Sequence, residues 1–348
     1  MNVLDYKKQL YKISIYYSFQ PLLYIYIYIY IIIMNNILIT GGAGFIGSNI
    51  VEYISQKKIY KQIRILDNLK TGKMKNIQFL LDKYDNIEFV HGDISNLEDC
   101  RNAVIGMDVI CHQAAIGSIP RSIKDPLSSH ISNVNGFVNI LVAAKEVGIK
   151  RIVYASSSSV YGDNMILPKV EANTGNVLSP YAATKAIDEL YGGLFTRCYG
   201  MECIGLRYFN VFGPRQDPNG DYAAVIPKFI DLLKRGVQPV INGDGSFSRD
   251  FTYVENAVHA NVLALTTRNN ISYGNVFNIG CGEQYSLLEL IKILQIELKS
   301  DIKPLFGPNR QGDIPHSNAD ISKARDILGY HPIISFKNGM NKYMNSFC

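Results

Sequence analysis

Residues 40 to 48 read TGGAGFIGS, and they separate two different patterns of apolar residues. Before them, Ile37 to Ile39 form a short apolar run typical of a buried strand, and after them Asn49 to Ser55 have the spacing of an amphipathic helix. A second apolar run, Ile63 to Leu66, comes next. This succession of strand, glycine turn, helix and strand predicts a βαβ unit, in which the two strands are parallel.

The glycines of this turn indicate a nucleotide site. Gly41 permits a tight turn, Gly44 lets backbone approach a pyrophosphate, and Gly47 lets helix and strand pack closely, while the helix N-terminus offers free N–H groups. Asp67 closes the second apolar run 20 residues after Gly47, where a carboxylate can accept hydrogen bonds from ribose hydroxyls and repels a 2′-phosphate. Together they predict NAD as the cofactor. Asp93, in HGDI, is either an adenine-edge contact or an acidic turn residue.

The alternation of strands and helices continues along the chain. Further strand-like runs are Ile87 to Val90, Val109 to Cys111, Ile152 to Ala155 and Cys203 to Leu206, with helical periodicity between them. We therefore expect an α/β fold, a Rossmann-type doubly wound parallel sheet with a smaller C-terminal α/β substrate domain. The expected division is 34–205 for the NAD-binding domain, with a returning segment near 250–280, and 206–348 mainly for substrate.

Two helices have clear start or stop signals. One is predicted from Pro126 to just before Gly148, with a buried face made of Leu127, Ile131, Val134, Val138 and Leu141. The other begins at Ser179 and Pro180, an N-cap followed by proline at the first helical position.

Residues 1 to 33 differ from the rest of the chain. Positions 21 to 33 are an apolar run of 13 rich in Tyr-Ile repeats, shorter than the ~18 residues that a membrane-spanning helix needs. Lysines precede it as in a signal peptide, but no small-residue cleavage site comes after it. We expect Met34 to be the true start and residues 1 to 33 to be a low-complexity extension outside the fold, with a signal or membrane anchor as the alternative.

Composition excludes several classes of function. The 348 residues are 47% hydrophobic and carry a net charge of +5 without a block of like charges, so neither disorder nor a nucleic-acid-binding arm is indicated. The six cysteines form no CxxC pair and no cluster with histidine, which argues against a zinc site or a disulfide framework. We expect a cytoplasmic protein without a metal or a membrane partner.

Tyr181 and Lys185 lie four residues apart on the second helix and therefore share one face. A phenol normally ionises near pH 10, so it acts as a base near neutrality only beside positive charges. A lysine ammonium and an oxidised nicotinamide can supply them. The pair is thus a candidate for removing a proton from a sugar hydroxyl.

Taken together, the motifs carry a resemblance that runs from about residue 35 to 345. TGGAGFIGS, the serine run before VYG, SPYAATK and LRYFNVFGPRQDP are similar to the extended short-chain dehydrogenase/reductase family of NAD-dependent epimerases. GSIPRSIKDP, YAAVIPKF, INGDGSFSRDF and RQGDIPHS most resemble UDP-N-acetylglucosamine 4-epimerases. The resemblance implies tightly held NAD and a UDP-sugar substrate. It also implies that Tyr181 takes the proton of the sugar 4-OH while hydride passes to NAD, and that the 4-keto sugar rotates before the hydride returns.

The resemblance also implies roles for individual residues. Ser157 is the catalytic hydroxyl beside Tyr181 and Lys185, and Ser158 and Ser159 stand where sugar-nucleotide dehydratases tend to hold an Asp-Glu pair. Epimerisation without elimination is therefore expected. The implied cofactor contacts are Gly41, Gly44, Phe45, Ile46, Gly47, Asp67, Asn68, Asp93, Ile94, Gln113, Ala114, Ala115, Asn133, Tyr181, Lys185 and Tyr208.

The implied substrate contacts are Ser118, Ser157, Ser158, Ser159, Tyr181, Asn210, Ala224, Val225, Lys228, Asn242, Arg249, Arg310, Asp313 and Ser317. Among them, the two arginines clamp the diphosphate and Asp313 accepts a ribose hydroxyl. Ser317 aligns with a position where a small residue leaves room for an N-acetyl group.

Three alternatives stay open. The first two are substrates other than UDP-GlcNAc, namely UDP-glucose and UDP-glucuronate. In the case of UDP-glucuronate, Arg121 and Ser122 would contact the C6 carboxylate. A non-catalytic NAD-binding protein is the alternative from another class, although such proteins usually lose one member of the Tyr-Lys pair.

Family members also pair helices corresponding to 126–147 and 179–198, which implies a homodimer.

Overall fold

The computed structural model describes residues 36–218, 223–308 and 314–346. The strands in chain order are β1 (Asn36–Thr40), β2 (Gln62–Asp67), β3 (Ile87–His91), β4 (Val109–His112), β5 (Arg151–Ser157), β6 (Glu202–Tyr208), β7 (Val211–Phe212), β8 (Val240–Asn242), β9 (Ser248–Arg249), β10 (Thr252–Tyr253), β11 (Asn275–Ile279), β12 (Tyr285–Ser286), β13 (Leu305–Gly307) and β14 (His316–Ser317).

The helices are α1 (Phe45–Gln56), α2 (Gln78–Leu81), α3 (Leu97–Val104), α4 (Ile119–Lys124), α5 (Pro126–His130), α6 (Gly136–Glu146), α7 (Pro180–Tyr199), α8 (Val225–Lys234), α9 (Val254–Thr266), α10 (Leu287–Leu298), α11 (Ser322–Leu328) and α12 (Phe336–Asn345). A π-helical segment, Ile131–Asn135, joins α5 to α6, and short 3₁₀ segments are Met74–Asn76, Ser158–Tyr161 and Asn270–Ser272.

Seven parallel strands form the main sheet in the order β11-β6-β5-β4-β1-β2-β3. The six apolar runs predicted as strands lie within β1 to β6, so the predicted parallel sheet and the α/β fold class are confirmed. The strand order reverses between β1 and β4, and in open sheets of this kind ligands bind at that point, outside the carboxyl ends of the strands.

Both faces of the sheet are covered, which explains why its strands are almost continuously apolar. Ile37 and Ile39 of β1 belong to one core cluster, together with residues of α1 and α9. Leu38 points to the opposite face and belongs to a second cluster, together with residues of α3 and α6. The side-chain alternation of one strand thus feeds two cores, as a doubly wound sheet requires.

The predicted helix from Pro126 is interrupted, and part of its predicted buried face was wrong. Val134 and Leu141 are buried, but Leu127 is 67% exposed and Ile131 is 39% exposed. The π-helical segment Ile131–Asn135 adds backbone between α5 and α6 and changes the direction of the side chains. Residues before it therefore no longer share the face that α6 turns to the sheet.

The second half of the chain contributes smaller sheets. They are the pairs β10-β7 and β13-β8 and the three-stranded sheet β12-β9-β14. Strand β11 returns to the main sheet beside β6. The division into two domains stays a prediction.

The predicted extension, residues 1 to 33, lies outside the described residues. Within 36–218, 223–308 and 314–346, no helix combines the length and apolarity that crossing a membrane requires.

Candidate active site

The glycine turn after β1 has no room for side chains. Gly41 adopts φ +70°, and a Cβ there would lie 2.6 Å from the backbone nitrogen of Ala114 on the neighbouring strand end. A Cβ on Gly47 would collide with the carbonyl oxygen of Gly41. Gly44 caps α1 without a side-chain hydrogen bond, and no acidic residue stands in the first helical turn. The positive end of α1 is therefore available to phosphate groups.

A cavity of about 340 Å³ opens at this turn and runs along the carboxyl edge of the sheet. Of the predicted cofactor residues, those that line it are Gly41, Gly44, Phe45, Ile46, Gly47, Asp67, Asn68, Ile94, Gln113, Ala114, Ala115, Tyr181, Lys185 and Tyr208. Lining residues that sequence reasoning missed include Lys70 and Thr71 after β2, Ser132, and Ser156. Lys70, Thr71 and Ser156 could have been predicted from their positions at or after a strand end. Ser132 could not, because it lies in the π-helical segment.

Asp67 stands at the end of β2 with its carboxylate already ordered by backbone. One oxygen accepts the N–H of Leu69 at 2.8 Å and the other accepts the N–H of Ala43 in the glycine turn at 3.0 Å. Burial raises the pKa of this carboxyl above its usual value, and the two N–H groups oppose that shift. These bonds hold the carboxylate rigidly on the cavity wall, where ribose hydroxyls can reach it.

Asp93 lies beside the cavity, although its neighbours Gly92 and Ile94 line it. Its oxygens accept hydrogen bonds from Ser95 and from the side chain of Asn68, each at 2.8 Å. Burial acts to raise the pKa of Asp93, but the bonds from Ser95 and Asn68 outweigh burial and hold that pKa below its usual range. In this arrangement Asp93 orients Asn68, which does line the cavity.

Gln113 and Tyr208 are fixed by a buried asparagine that the sequence did not single out. The hydroxyl of Tyr208 donates to Gln113 at 3.1 Å and accepts from Asn261 at 2.7 Å, and Gln113 donates back to Asn261 at 3.0 Å. Burial raises the pKa of the Tyr208 phenol, which therefore stays neutral. This closed triangle makes one wall of the cavity stiff.

Asn133 does not line the cavity but holds a segment that does. Its side chain accepts the N–H of Ile116 at 2.7 Å and donates to the carbonyl of Ile116 at 3.2 Å and to Thr184 at 3.0 Å. Thr184 in turn donates to the carbonyl of Tyr181. The π-helical segment thus connects the loop after β4 with the start of α7.

Tyr181 and Lys185 both line the cavity from α7. Ser179 caps this helix by accepting the N–H of Ala182 at 3.2 Å, as its sequence predicted. The ammonium group of Lys185 donates to the carbonyl of Ala155 in β5 at 2.9 Å and to Asp188 at 3.1 Å. The lysine therefore ties the helix to the strand that ends in the serine run.

Within that run, the four serines have different surroundings. Ser156 is buried and donates to Glu189, whose carboxylate also forms a two-bond ion pair with Arg207 at 2.7 and 2.8 Å. Ser157 ends β5, and its hydroxyl accepts the N–H of Ser159 at 3.2 Å. Ser158 begins the 3₁₀ segment. The buried hydroxyl oxygen of Ser159 has no hydrogen-bond partner among the residues that the structure describes.

The position of Ser122 differs from the one that the UDP-glucuronate alternative requires. It is completely buried, donates to the carbonyl of Ile119 at 2.7 Å and accepts the N–H of Tyr181 at 3.0 Å. Its hydroxyl is therefore occupied in joining α4 to the first turn of α7. The expected contact of Ser122 with a sugar carboxylate does not agree with this placement.

The predicted substrate residues are distributed over several elements. Ser317 in β14 is 8% exposed and is the register partner of Arg249 in β9, whose guanidinium donates to the carbonyls of Ser248 and Pro315 at 2.9 and 3.1 Å. Asn210 donates to the carbonyl of Asp250 at 3.3 Å. The other described members are Ser118 at the cap of α4, Ala224, Val225 and exposed Lys228 at α8, and Asn242 at the end of β8. Arg310 and Asp313 lie outside the described residues.

Comparison with known proteins finds a matching family model and a similar protein of almost the same length. A family model described as the NAD dependent epimerase/dehydratase family matches residues 37–280. A putative UDP-glucose 4-epimerase of Methanocaldococcus jannaschii is 39% identical over 89% of this chain and 97% of its own length.

Two solved structures show the same architecture. A UDP-N-acetylglucosamine 4-epimerase from Methanobrevibacter ruminantium, in complex with UDP-N-acetylmuramic acid, superimposes with a TM-score of 0.84 at 38% identity, covering 90% of this chain and 98% of that one. A UDP-glucuronic acid 4-epimerase from Bacillus cereus, with UDP-glucuronic acid and NAD, gives a TM-score of 0.82 at 31% identity over 89% of this chain and 98% of that one.

Proposed function

Because the chain belongs to the NAD-dependent epimerase/dehydratase family, we propose that it interconverts UDP-GlcNAc and UDP-GalNAc by inverting C4 of the sugar. The family, the NAD cofactor and the enzyme class predicted from the sequence, an NAD-dependent nucleotide-sugar 4-epimerase, are confirmed. The choice among UDP-hexoses and a role in surface polysaccharide synthesis are our proposal.

The cavity fits a dinucleotide. The turn at Gly41 and Gly47 is a cradle that a Cβ would fill, and the bare start of α1 suits a pyrophosphate. Asp67 suits the adenosine ribose, and the wall at Gln113 and Tyr208 belongs to the same cavity as the Tyr181–Lys185 pair. NAD bound there would accept a hydride from C4 of the sugar and later return it.

The remaining steps belong to the side chains. Tyr181 removes the proton of the 4-OH as the carbon is oxidised and returns it in the reverse step. Ser157 hydrogen-bonds the same oxygen, and Lys185 supplies positive charge on the same wall of the cavity. Rotation of the 4-keto sugar exposes its other face before reduction, so no net oxidation results.

One observation carries the proposal: a single cavity brings the Tyr181–Lys185 pair to the glycine turn, and the serine run beside it contains no carboxylate. Elimination of water needs an acid and a base in addition to the tyrosine. Since Ser158 and Ser159 provide neither, reversible oxidation and reduction at C4 is the chemistry that these residues support.

The N-acetylated sugar is supported by Ser317 and by the similarity to the epimerase from Methanobrevibacter ruminantium. Ser317 is small and lies beside Arg249, a candidate diphosphate contact. UDP-glucose is the second candidate, and the similarity to the Methanocaldococcus jannaschii protein favours it.

The test is to incubate the full chain, without added NAD, separately with UDP-GlcNAc, UDP-glucose and UDP-glucuronate, and to separate the products by chromatography. We expect fast conversion of UDP-GlcNAc to UDP-GalNAc and a loss of about 10³-fold in the Tyr181→Phe variant, a typical effect of removing a general base. Tyr191→Phe, on the same helix, is the matched control. Turnover of UDP-glucose alone would reject the choice of sugar, and a 4-keto-6-deoxy product would reject the reaction.

Two further expectations belong to this proposal. Apolar side chains are exposed on α5 and α7, among them Leu127 at 67% and Leu190 at 71%, and we propose that these helices pair in a homodimer. We also propose a cytoplasmic location. Sedimentation of the purified chain and fractionation of cells would test the two statements.

A further inference from the structure

The ammonium group of Lys185 has a carboxylate partner that lies away from the cavity. It donates to Asp188 at 3.1 Å, and both side chains are 2% exposed. Its second described partner is the carbonyl of Ala155 at 2.9 Å. Since the structure places Lys185 but not Asp188 among the residues that line the cavity, the carboxylate contacts the lysine from behind.

Three residues of α7 lie on one helical face because they stand at positions i, i+4 and i+7: Tyr181, Lys185 and Asp188. At about 1.5 Å of rise per residue, Asp188 is about 10 Å along the axis from Tyr181. Lys185 stands between them. The order along this face is therefore phenol, ammonium and carboxylate.

The other ionisable groups near this face contribute little charge. His112 of β4 is buried, and burial together with the charge of Lys185 lowers its pKa to about 3, so the ring is neutral. The phenol of Tyr154 in β5 is neutral because burial raises its pKa. Glu189 of α7 is paired with Arg207 of β6. One oxygen of Asp188 has no hydrogen-bond partner in the described part of the chain, which leaves the carboxylate dependent on Lys185.

We propose that Asp188 is a positioning residue of the epimerase, whose ion pair fixes the Lys185 ammonium beside Tyr181 and sets the pH range of activity. This inference rests on the proposed function. It adds to the Tyr-Lys pair a residue that touches neither the sugar nor the cofactor.

The ion pair has two effects of opposite sign on the Tyr-Lys pair. The carboxylate stabilises the ammonium form of Lys185, because opposite charges at about 3 Å attract strongly in a buried site. It also weakens the positive field at Tyr181, because a negative charge about two helical turns along the same face opposes the positive charge of the ammonium. We therefore expect removal of the Asp188 charge to move both limbs of the pH profile of activity in the same direction.

The Asp188→Asn variant keeps the shape and removes the charge. We expect both limbs of the pH profile of kcat/KM to move to lower pH, the acidic limb by about one unit and the alkaline limb further. Burial raises the pKa of Asp188 to about 6, and Lys185 opposes that shift. Since the native carboxylate becomes neutral below that value, the native chain and the variant converge there and differ most above it.

Absorbance of the phenolate gives a second measurement that needs no sugar. The difference spectrum between each protein and its Tyr181→Phe counterpart reports ionisation of this one tyrosine. We expect it to appear about one pH unit lower in Asp188→Asn. The NAD content of each purified protein shows whether the cavity is intact.

Asp250→Asn is the matched control. Asp250 is fully buried, accepts three backbone N–H groups at 2.8 to 3.1 Å, and burial raises its pKa to about 6, but its partners are Cys281, Gly282 and Ala319. We expect this variant to lose stability without moving either limb. Asp188→Glu keeps the charge, and we expect it to keep the native limbs. If Asp188→Asn does not fold, the smaller Asp188→Ser repeats the test.

A lower rate at every pH with unmoved limbs would assign Asp188 a structural role and overturn the inference. So would an unchanged phenolate titration in a folded, NAD-containing variant. If the native chain turned over none of the UDP-hexoses, the proposed function would fail, whereas the phenolate titration would still decide the inference about Asp188.

Discussion

The proposed cofactor side of the site, at the glycine turn, and its proposed substrate side, at Arg249 and Ser317, are built in different ways. The cofactor side consists of strand ends and turns of one parallel sheet, where Gly41, Asp67 and Gln113 lie at the ends of β1, β2 and β4. The substrate side consists of short strands from distant parts of the chain, such as β9 and β14, which bring Arg249 beside Ser317. A site made of repeated strand-turn-helix units can therefore be recognised from short stretches of sequence. A site made by pairing short strands that are distant in the chain cannot.

Rigidity also differs between the two sides. On the cofactor side, backbone N–H groups hold Asp67, and a buried triangle with Asn261 holds Gln113 and Tyr208. On the substrate side, Arg249 and Asn210 donate to backbone carbonyls, but Lys228 is exposed and no side chain caps the start of α8. We therefore expect substitutions on the cofactor side to act through stability and NAD retention, and those on the substrate side through selectivity.

The largest effect is expected at the glycine turn. Gly41→Ala combines an unfavourable positive φ with a collision 2.6 Å from Ala114. The conformation costs about 1–2 kcal/mol and the overpacking about 1–3 kcal/mol more, and NAD should be lost. Gly148→Ala is the matched control, because Gly148 has φ +81° with open space around it. Denaturant unfolding and the NAD content measure the difference, and equal losses in the two variants would contradict close packing at Gly41.

A smaller effect, mainly on selectivity, is expected on the substrate side. Ser317→Tyr should lower kcat/KM for UDP-GlcNAc about 10- to 200-fold relative to UDP-glucose, since a pocket distinguishes one small group by about 1–3 kcal/mol. NAD content should change little, whereas the larger side chain at this buried position should cost about 1–3 kcal/mol of stability. Ser317→Ala, which keeps the position small, should leave selectivity unchanged. If the tyrosine variant kept the native preference, Ser317 would not lie beside the N-acetyl group.

The smallest effect is expected at a surface ion pair between the loop after β2 and the loop after β7. Lys73, in the loop after β2, forms an ion pair with Asp217, and each side chain is 42% exposed. Such pairs contribute about 0–1 kcal/mol and are screened by salt. Lys73→Ala should therefore speed NAD release less than about fivefold, and high salt should abolish the difference. Lys75→Ala, at an exposed neighbouring position, is the control. A large increase in NAD release that salt leaves unchanged would show that the ion pair holds the two loops more tightly than its exposure indicates.

The helix predicted from Pro126 shows which buried residues apolar periodicity can predict and which it cannot. Val134 and Leu141 were correctly predicted as buried, because they lie near or within α6, which packs on the sheet. Leu127 and Ile131 were wrongly predicted, because apolar spacing does not reveal a π-helical segment between two helical pieces. Asp188 illustrates the opposite case. Its place three residues after Lys185 was visible in the sequence, but its burial was not.

The sequence by itself determined the parallel sheet, the glycine turn, the acidic residue at the end of β2 and the helix that carries Tyr181 and Lys185. These features depend on local spacing and on backbone conformations that few residues adopt, so they can be recognised without distant partners. Only the tertiary structure decided that Ser122 joins the start of α7, that Asn261 orders Gln113 and Tyr208, and that Asp188 lies buried against Lys185. Hydrogen bonds and ion pairs of buried groups depend on which elements pack together and on how far water is excluded, and neither is contained in the order of residues along one segment.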